Sequence, residues 1–187
     1  MPKALNYAMQ CLTAFTCVAV LTIVSAPVSS AAGSGIQKLK WHNEPRMVPD
    51  TPFQDGEGTT LTLSDFAGKV LVVNLWATWC APCIREMPTL DSLQADLGGD
   101  TFHVIALSQD REGARVAEPF MAKNGWENLS LYVSDGTTFA RAANIRGLPT
   151  TLIIGADGRE VARLEGTSEW NDPEIKEALS ALIVKAD

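Results

Sequence analysis

The sequence predicts an α/β sandwich with a central mixed sheet flanked by helices and an N-terminal β-hairpin extension. Three observations predict it: a continuous apolar run at residues 70–76, apolar residues at helical spacing from residue 84, and a second apolar run at residues 151–154 that leads through a turn into another strand pattern. Strand and helix signals alternate between these landmarks, as they do when helices cover a sheet.

With 187 residues, 46% hydrophobic and 20% charged, the chain has room for one globular domain and an appended segment. The formal net charge of -7 repels phosphate backbones. No local Lys or Arg cluster offsets it, so nucleic-acid partners are excluded.

Residues 4–37 contain no charged side chain, and residues 11–28 are strongly apolar. Lys3 gives a thin positive start, and Ser29-Ser30-Ala31-Ala32-Gly33 supplies small residues of the kind a signal peptidase accepts. Residues 1–32 therefore read as a signal peptide or a membrane anchor, because the apolar run approaches the roughly 20 residues that span a bilayer. Lys38, Lys40 and Arg46 beyond the run argue against export. Its extreme N-terminal position outweighs them. No lipoprotein-type motif precedes Cys11 or Cys17, so both thiols read as apolar filler.

Residues 33–50 mix Gly, Ser, Asn and Pro without apolar periodicity and read as a flexible tether, which leaves residues 51–187 as the folded domain. Asp55-Gly56-Glu57-Gly58 marks a turn, and Thr60-Leu61-Thr62-Leu63 alternates like a half-buried strand. Val70 to Trp76 reads as a central strand buried on both faces. Ile84, Met87, Leu90, Leu93 and Leu97 follow at helical spacing, and Gly98-Gly99 stops that helix. A strand at 102–107, a helix at 116–124 closed by Gly125 and a short strand at 131–133 come next. Residues 151–154 and 160–164 flank the turn Ala156-Asp157-Gly158-Arg159 as a hairpin, and Ile175, Leu179, Leu182 and Ile183 mark a closing amphipathic helix.

Cys80-Ala81-Pro82-Cys83 falls at a strand-to-helix junction. Unpaired N–H groups and the helix dipole there stabilise a thiolate on the first cysteine, making Cys80 the expected nucleophile. The two-residue spacer lets Cys83 resolve a mixed disulfide formed at Cys80, and Pro82 stiffens the turn. A structural zinc site needs two further ligands. Cys11 and Cys17 lie in the apolar segment, while His42 and His103 are isolated, so no metal is expected and the cysteine pair itself is the redox group, without another cofactor.

Trp79-Cys80-Ala81-Pro82-Cys83 after an apolar strand, followed much later by Gly147-Leu148-Pro149-Thr150, resembles the thioredoxin superfamily over residues 51–187. The resemblance implies that Pro149 is cis and faces the disulfide, that Leu148 offers backbone hydrogen bonds to substrate, and that Trp79 and Pro82 contact it at the rim. A proline immediately before an apolar strand is also what strand geometry tolerates. Within the superfamily the chain looks most like the TlpA branch of membrane-anchored periplasmic reductases. The features are the apolar N-terminus, Asn74-Leu75-Trp76-Ala77-Thr78, Arg85-Glu86-Met87-Pro88 and Glu169-Trp170. Relatives devoted to cytochrome c maturation usually carry Glu after the cis-proline. Thr150 and Thr151 stand here, which makes that assignment the second choice.

Asn74 occupies the position where cytoplasmic thioredoxins have a buried Asp, so a proton acceptor must come from elsewhere. Glu86, one turn after Cys83, is the candidate. Trp76 reads as core. Ala81 and Pro82 give Cys80 no charge or donor from their side chains, which favours reduction over oxidation. The resemblance implies partners that are cysteine pairs in copper-delivery or cytochrome assembly proteins, an integral-membrane thiol donor, a monomeric chain, and a location at the periplasmic face of the bacterial inner membrane, or in the soluble periplasm if the segment is cleaved. A Cu(I)-binding chaperone using the paired thiolates is the alternative of a different class. A peroxidase is disfavoured because its Thr-x-x-Cys loop is replaced by the paired motif.

Overall fold

The computed structural model describes residues 35–184. Residues 1–32, the expected signal peptide or anchor, lie outside the described residues, as do Cys11 and Cys17. Among the described residues the chain forms eight strands in one mixed sheet. They are β1 (Lys40–Met47), β2 (Phe53–Asp55), β3 (Thr60–Leu61), β4 (Val70–Trp76), β5 (Phe102–Ser108), β6 (Leu131–Val133), β7 (Thr150–Ile154) and β8 (Arg159–Glu165), in the order β1-β8-β7-β4-β5-β6-β2-β3. Four helices accompany them: α1 (Ala81–Leu97), α2 (Ala114–Asn124), α3 (Thr138–Ala142) and α4 (Pro173–Val184).

β4 runs parallel to β5 and antiparallel to β7, and every one of its residues is buried. Period-2 alternation divides its side chains between two cores. Val70, Val72 and Trp76 pack with Cys80, Cys83, Met87 and Leu90 of the α1 region and with Ile175 and Leu179 of α4. Leu71, Val73 and Leu75 pack with Phe53, Tyr132 and Phe139 on the other side. The expected β-hairpin is the β2–β3 pair, in which Phe53 faces Leu61. It docks antiparallel on β6 and forms one end of the sheet. The expected strand at 60–63 is shorter than its alternation implied, since Leu63–Phe66 turns into a 3-10 helix.

The reading of residues 33–50 as a flexible tether is corrected. Gly35–Lys38 is a 3-10 turn, Leu39 is in the core, and β1 pairs antiparallel with β8 as the other edge of the sheet. The folded unit therefore begins before residue 51. β1 satisfies its backbone on one side while almost all its side chains stay exposed, so burial imposes no apolar alternation on its sequence. Gly125 ends α2 in the left-handed conformation at φ 70°, which glycine adopts without a steric penalty.

Candidate active site

The C-terminal end of β4 leads into the turn that carries Trp79 and Cys80. Cys80 caps α1, with φ −90° and ψ 90°, and its Sγ accepts a 3.4 Å hydrogen bond from the Cys83 backbone N–H. Cys80 and Cys83 are joined as a disulfide across a Cα–Cα distance of 5.3 Å. Pro82 occupies the first turn, where its missing N–H costs no helical hydrogen bond. Cys80 and Cys83 are buried against the α1-side core, whereas Trp79 is 70% exposed and stands at the rim.

The preceding turn is held from the neighbouring strand. Thr78 donates from its backbone N and from Oγ1 to the Asp110 carboxylate at 3.0 and 2.8 Å, and Ser108 Oγ donates to the same carboxylate at 2.9 Å. Asp110 is buried beyond the end of β5, so it ties the loop before the nucleophile to the β5–α2 loop. Nothing in the local sequence marks this link, which joins residues 32 positions apart.

The Leu148–Pro149 peptide bond is cis. Thr150, next in the chain, pairs with Leu75, which brings the proline loop to the same end of β4 as Cys80. Leu148 and Pro149 line a recess of about 270 Å³ with Arg146, Gly147, Thr150, Glu165 and Gly166. A groove of about 770 Å³ lies elsewhere, between the β2–β3 turn and the start of α2. None of the expected site residues lines it.

Glu86 is not a solvated helix-surface residue. It is 2% exposed, and its carboxylate accepts three hydrogen bonds: from Asn74 Nδ2 at 2.9 Å, from the Ser168 backbone N at 3.0 Å and from Trp170 Nε1 at 3.1 Å. Burial pushes its pKa above 4.5 despite the opposing pull of those donors and of Lys38 at longer range. Asn74 Nδ2 also donates to Thr151 Oγ1 at 2.9 Å, so β4 and the loop before α4 meet α1 at this acid, and β7 joins through Asn74. Of these holders, Asn74, Thr151 and Trp170 stood out in the sequence without an assigned bond, and Ser168 gave no signal.

His42 and His103 are structural. His42 Nε2 lies 2.8 Å from Glu160 Oε1, which also binds Arg163, and His103 Nε2 lies 2.8 Å from the Tyr132 hydroxyl with its ring stacked on Phe66. Among the described residues no group of three or more His, Cys, Asp and Glu is placed to hold a metal ion.

A redox-active pair at a helix N-terminus, with one face of the second cysteine's helix carrying a buried acid, can exchange disulfides and manage the accompanying proton. The chain is similar to known proteins. The Redoxin family model matches residues 43–182. The thiol-disulfide oxidoreductase ResA of Bacillus cereus is 26% identical over 86% of this chain and 93% of its own length. ResA of Geobacillus kaustophilus is 30% identical over 68% of this chain and 72% of its own. The solved structure of a Chlorobium tepidum protein assigned as the thiol:disulfide interchange protein DsbE superposes with a TM-score of 0.63 at 27% identity. That match covers 77% of this chain and 97% of the other. The fold is thioredoxin-like.

Proposed function

This chain belongs to the Redoxin family and is a thiol-disulfide oxidoreductase, and we propose that it works in the reducing direction on proteins of cytochrome oxidase copper-site or cytochrome c assembly. In the dithiol form the Cys80 thiolate attacks a partner disulfide. A Cys80–partner S–S bond forms and the partner's second sulfur leaves as a thiolate. Cys83 then gives up its proton and attacks Cys80 Sγ. The internal disulfide forms, the partner's first sulfur leaves, and the partner has gained two electrons and, after protonation, two thiol protons. Glu86, buried one helical turn from Cys83, takes the Cys83 proton.

The observation that carries the direction is the sparse support for a Cys80 thiolate: among the described residues, one backbone N–H reaches Sγ, and Ala81 and Pro82 add no side-chain donor. Strong oxidants over-stabilise that thiolate, and the lack of side-chain donors from Ala81 and Pro82 supports the reducing direction. The substrate reading rests on the TlpA-like motifs. Copper ligands must be thiols before metal binds, and an oxidising compartment works against that. The same resemblance and the apolar N-terminal segment support a periplasmic, membrane-anchored enzyme reset by an integral-membrane thiol donor. No helix among the described residues is long and apolar enough to cross a membrane. Trp79, Pro82, Leu148 and Pro149 form the substrate surface in this reading.

Cys83→Ser tests it, because the substituted enzyme attacks but cannot release. Mixed disulfides with copper-delivery or cytochrome assembly proteins are expected to accumulate on Cys80. Absence of any trapped partner, together with a purified protein that reduces no disulfide and binds Cu(I) stoichiometrically, would overturn the proposal in favour of a copper chaperone.

A further inference from the structure

Asn74 holds an atom that the disulfide form leaves without a partner. Both hydrogens of its amide are used, one on Glu86 Oε1 and one on Thr151 Oγ1, each at 2.9 Å. Its carbonyl Oδ1 is fully buried and accepts no hydrogen bond. An unpaired buried carbonyl is unfavourable by about 1–3 kcal/mol in mutational terms, so its persistence calls for a donor in some other state of the protein.

The reaction creates one. Asn74 lies between Val72 and Trp76 on β4, and alternation places all three on the side of the sheet whose core contains Cys80, Cys83 and Met87. Cys83 is fully buried and sits on α1 one turn before Glu86, the residue that Asn74 already touches. In the disulfide the Cys83 sulfur has no hydrogen to donate. Opening the disulfide by two electrons and two protons gives Cys83 an S–H in a place without water-exposed surface. Among the described residues the other unpartnered buried side-chain polar atoms are Trp76 Nε1, Ser168 Oγ and Gln109 Oε1; only the last is another carbonyl, and its amide is committed to the Leu107 and Ser108 carbonyls at the end of β5.

We propose that Asn74 Oδ1 is the acceptor for the Cys83 thiol in the reduced enzyme, making Asn74 a positioning residue that orients the resolving thiol beside Glu86. The amide cannot take the proton, whereas the acid can. Asn74 therefore holds the S–H in place and Glu86 removes it when the mixed disulfide is to be resolved. Thr151 fixes the amide from β7, so the loop bearing Pro149 and the resolving thiol share one hydrogen-bonded anchor. The titratable groups on this patch are Cys80, Cys83 and Glu86 on α1, with Lys38 acting on Glu86 from the Gly35–Lys38 turn. β4 and β7 contribute none, and the Ser168–Trp170 loop carries one carboxylate, Glu169, whose side chain is exposed.

The inference rests on the two-thiol reading of Cys80 and Cys83, and its test separates the two. Full-length protein labelled with ¹³C,¹⁵N-asparagine is followed by NMR in the disulfide and dithiol forms, with Asn74 assigned by its loss in Asn74→Ala. The Asn74 carbonyl carbon is expected to move on reduction in the sense of a gained hydrogen bond, and to return toward the disulfide value at alkaline pH as Cys83 ionises. In Cys83→Ala it should keep the disulfide-form shift throughout. An Asn74 signal identical in both redox states, as a permanently bridging water would give, or a displacement that persists once Cys83 is ionised, overturns the assignment. If disulfide reductase activity is intact in that same sample, the functional reading survives the failure.

Discussion

Glu86→Gln probes the proton path. The substituted amide keeps an acceptor oxygen for Ser168 N and Trp170 Nε1, which bind one oxygen of Glu86, and turns its NH₂ toward Asn74. Two donors would then face each other, but a half-turn of the Asn74 amide brings the unpartnered Oδ1 to the contact, and the Thr151 hydroxyl donates to it instead of accepting. The Asn74 NH₂ then takes the place of Oδ1, unpaired at a cost of about 1–3 kcal/mol and no longer an acceptor for Cys83. Weakening charge-assisted bonds costs about 1.5–3 kcal/mol, and the desolvation of a buried carboxylate that no longer exists offsets a similar amount. The variant should therefore fold, with stability lower than the parent's at neutral pH by about 1–3 kcal/mol, the cost of the unpaired Asn74 NH₂. Its stability should also lose a pH dependence. The folded pKa of Glu86 lies above 4.5, so the parent's favourable contribution is fully present below about pH 4.5 and is lost as pH rises through the folded value. Denaturant titrations across that window should show the variant gaining on the parent as pH rises. Kinetically, loss of a general base slows its step by about 10²-fold or more. Stopped-flow with a chromogenic mixed disulfide should show Cys80 attacking at the parental rate while release by Cys83 slows by that factor at neutral pH. Parental release at every pH would refute the assignment of Glu86 as proton acceptor.

Trp79→Ala removes a ring that is 70% exposed, so stability should change by less than about 0.5 kcal/mol. KM for a protein disulfide should rise about tenfold, while turnover of a small disulfide stays the same. Asp110→Ala strands the donors of Thr78 and Ser108, which should lower stability by about 1–3 kcal/mol in chemical denaturation and slow attack by Cys80 as the turn before it loosens. Glu160→Gln weakens the buried His42–Glu160–Arg163 cluster and should cost about 3 kcal/mol. Burial pushes the Glu160 pKa up, but the bonds from Arg163 and His42 outweigh it and hold it below 4.5. The parent's extra stability is therefore present above about pH 4.5 and disappears as pH falls through the folded value, and acid titration of the variant should lack that loss.

Sequence showed most clearly what repeats or punctuates. The residues of β4 are apolar almost throughout because both faces are covered, and α1 announces itself through Met87, Leu90 and Leu93, all fully buried. Cys80 and Cys83 were legible because their chemistry depends on a spacing within one helical turn. β1 was not legible, since an exposed edge strand such as Lys40–Met47 has no face to write an alternation on. α3, five residues long, is too short to show a helical period. Glu86 could be picked out beside the cysteines, but its burial could not. The groups that enclose it come from Asn74, Ser168 and Trp170, the last two more than 80 positions away, and only the closed sheet brings them together. The Thr78–Asp110 clamp escaped for the same reason.

The central claim is that Cys80 and Cys83 are a reductant's pair. The most direct measurement is alkylation of free thiols in intact cells, followed by mass analysis of the peptide containing both cysteines. The account predicts that the pair is found largely as free thiols in cells with an active membrane thiol donor, and as the disulfide when that donor is removed. A pair that remains a disulfide in both cases would contradict it.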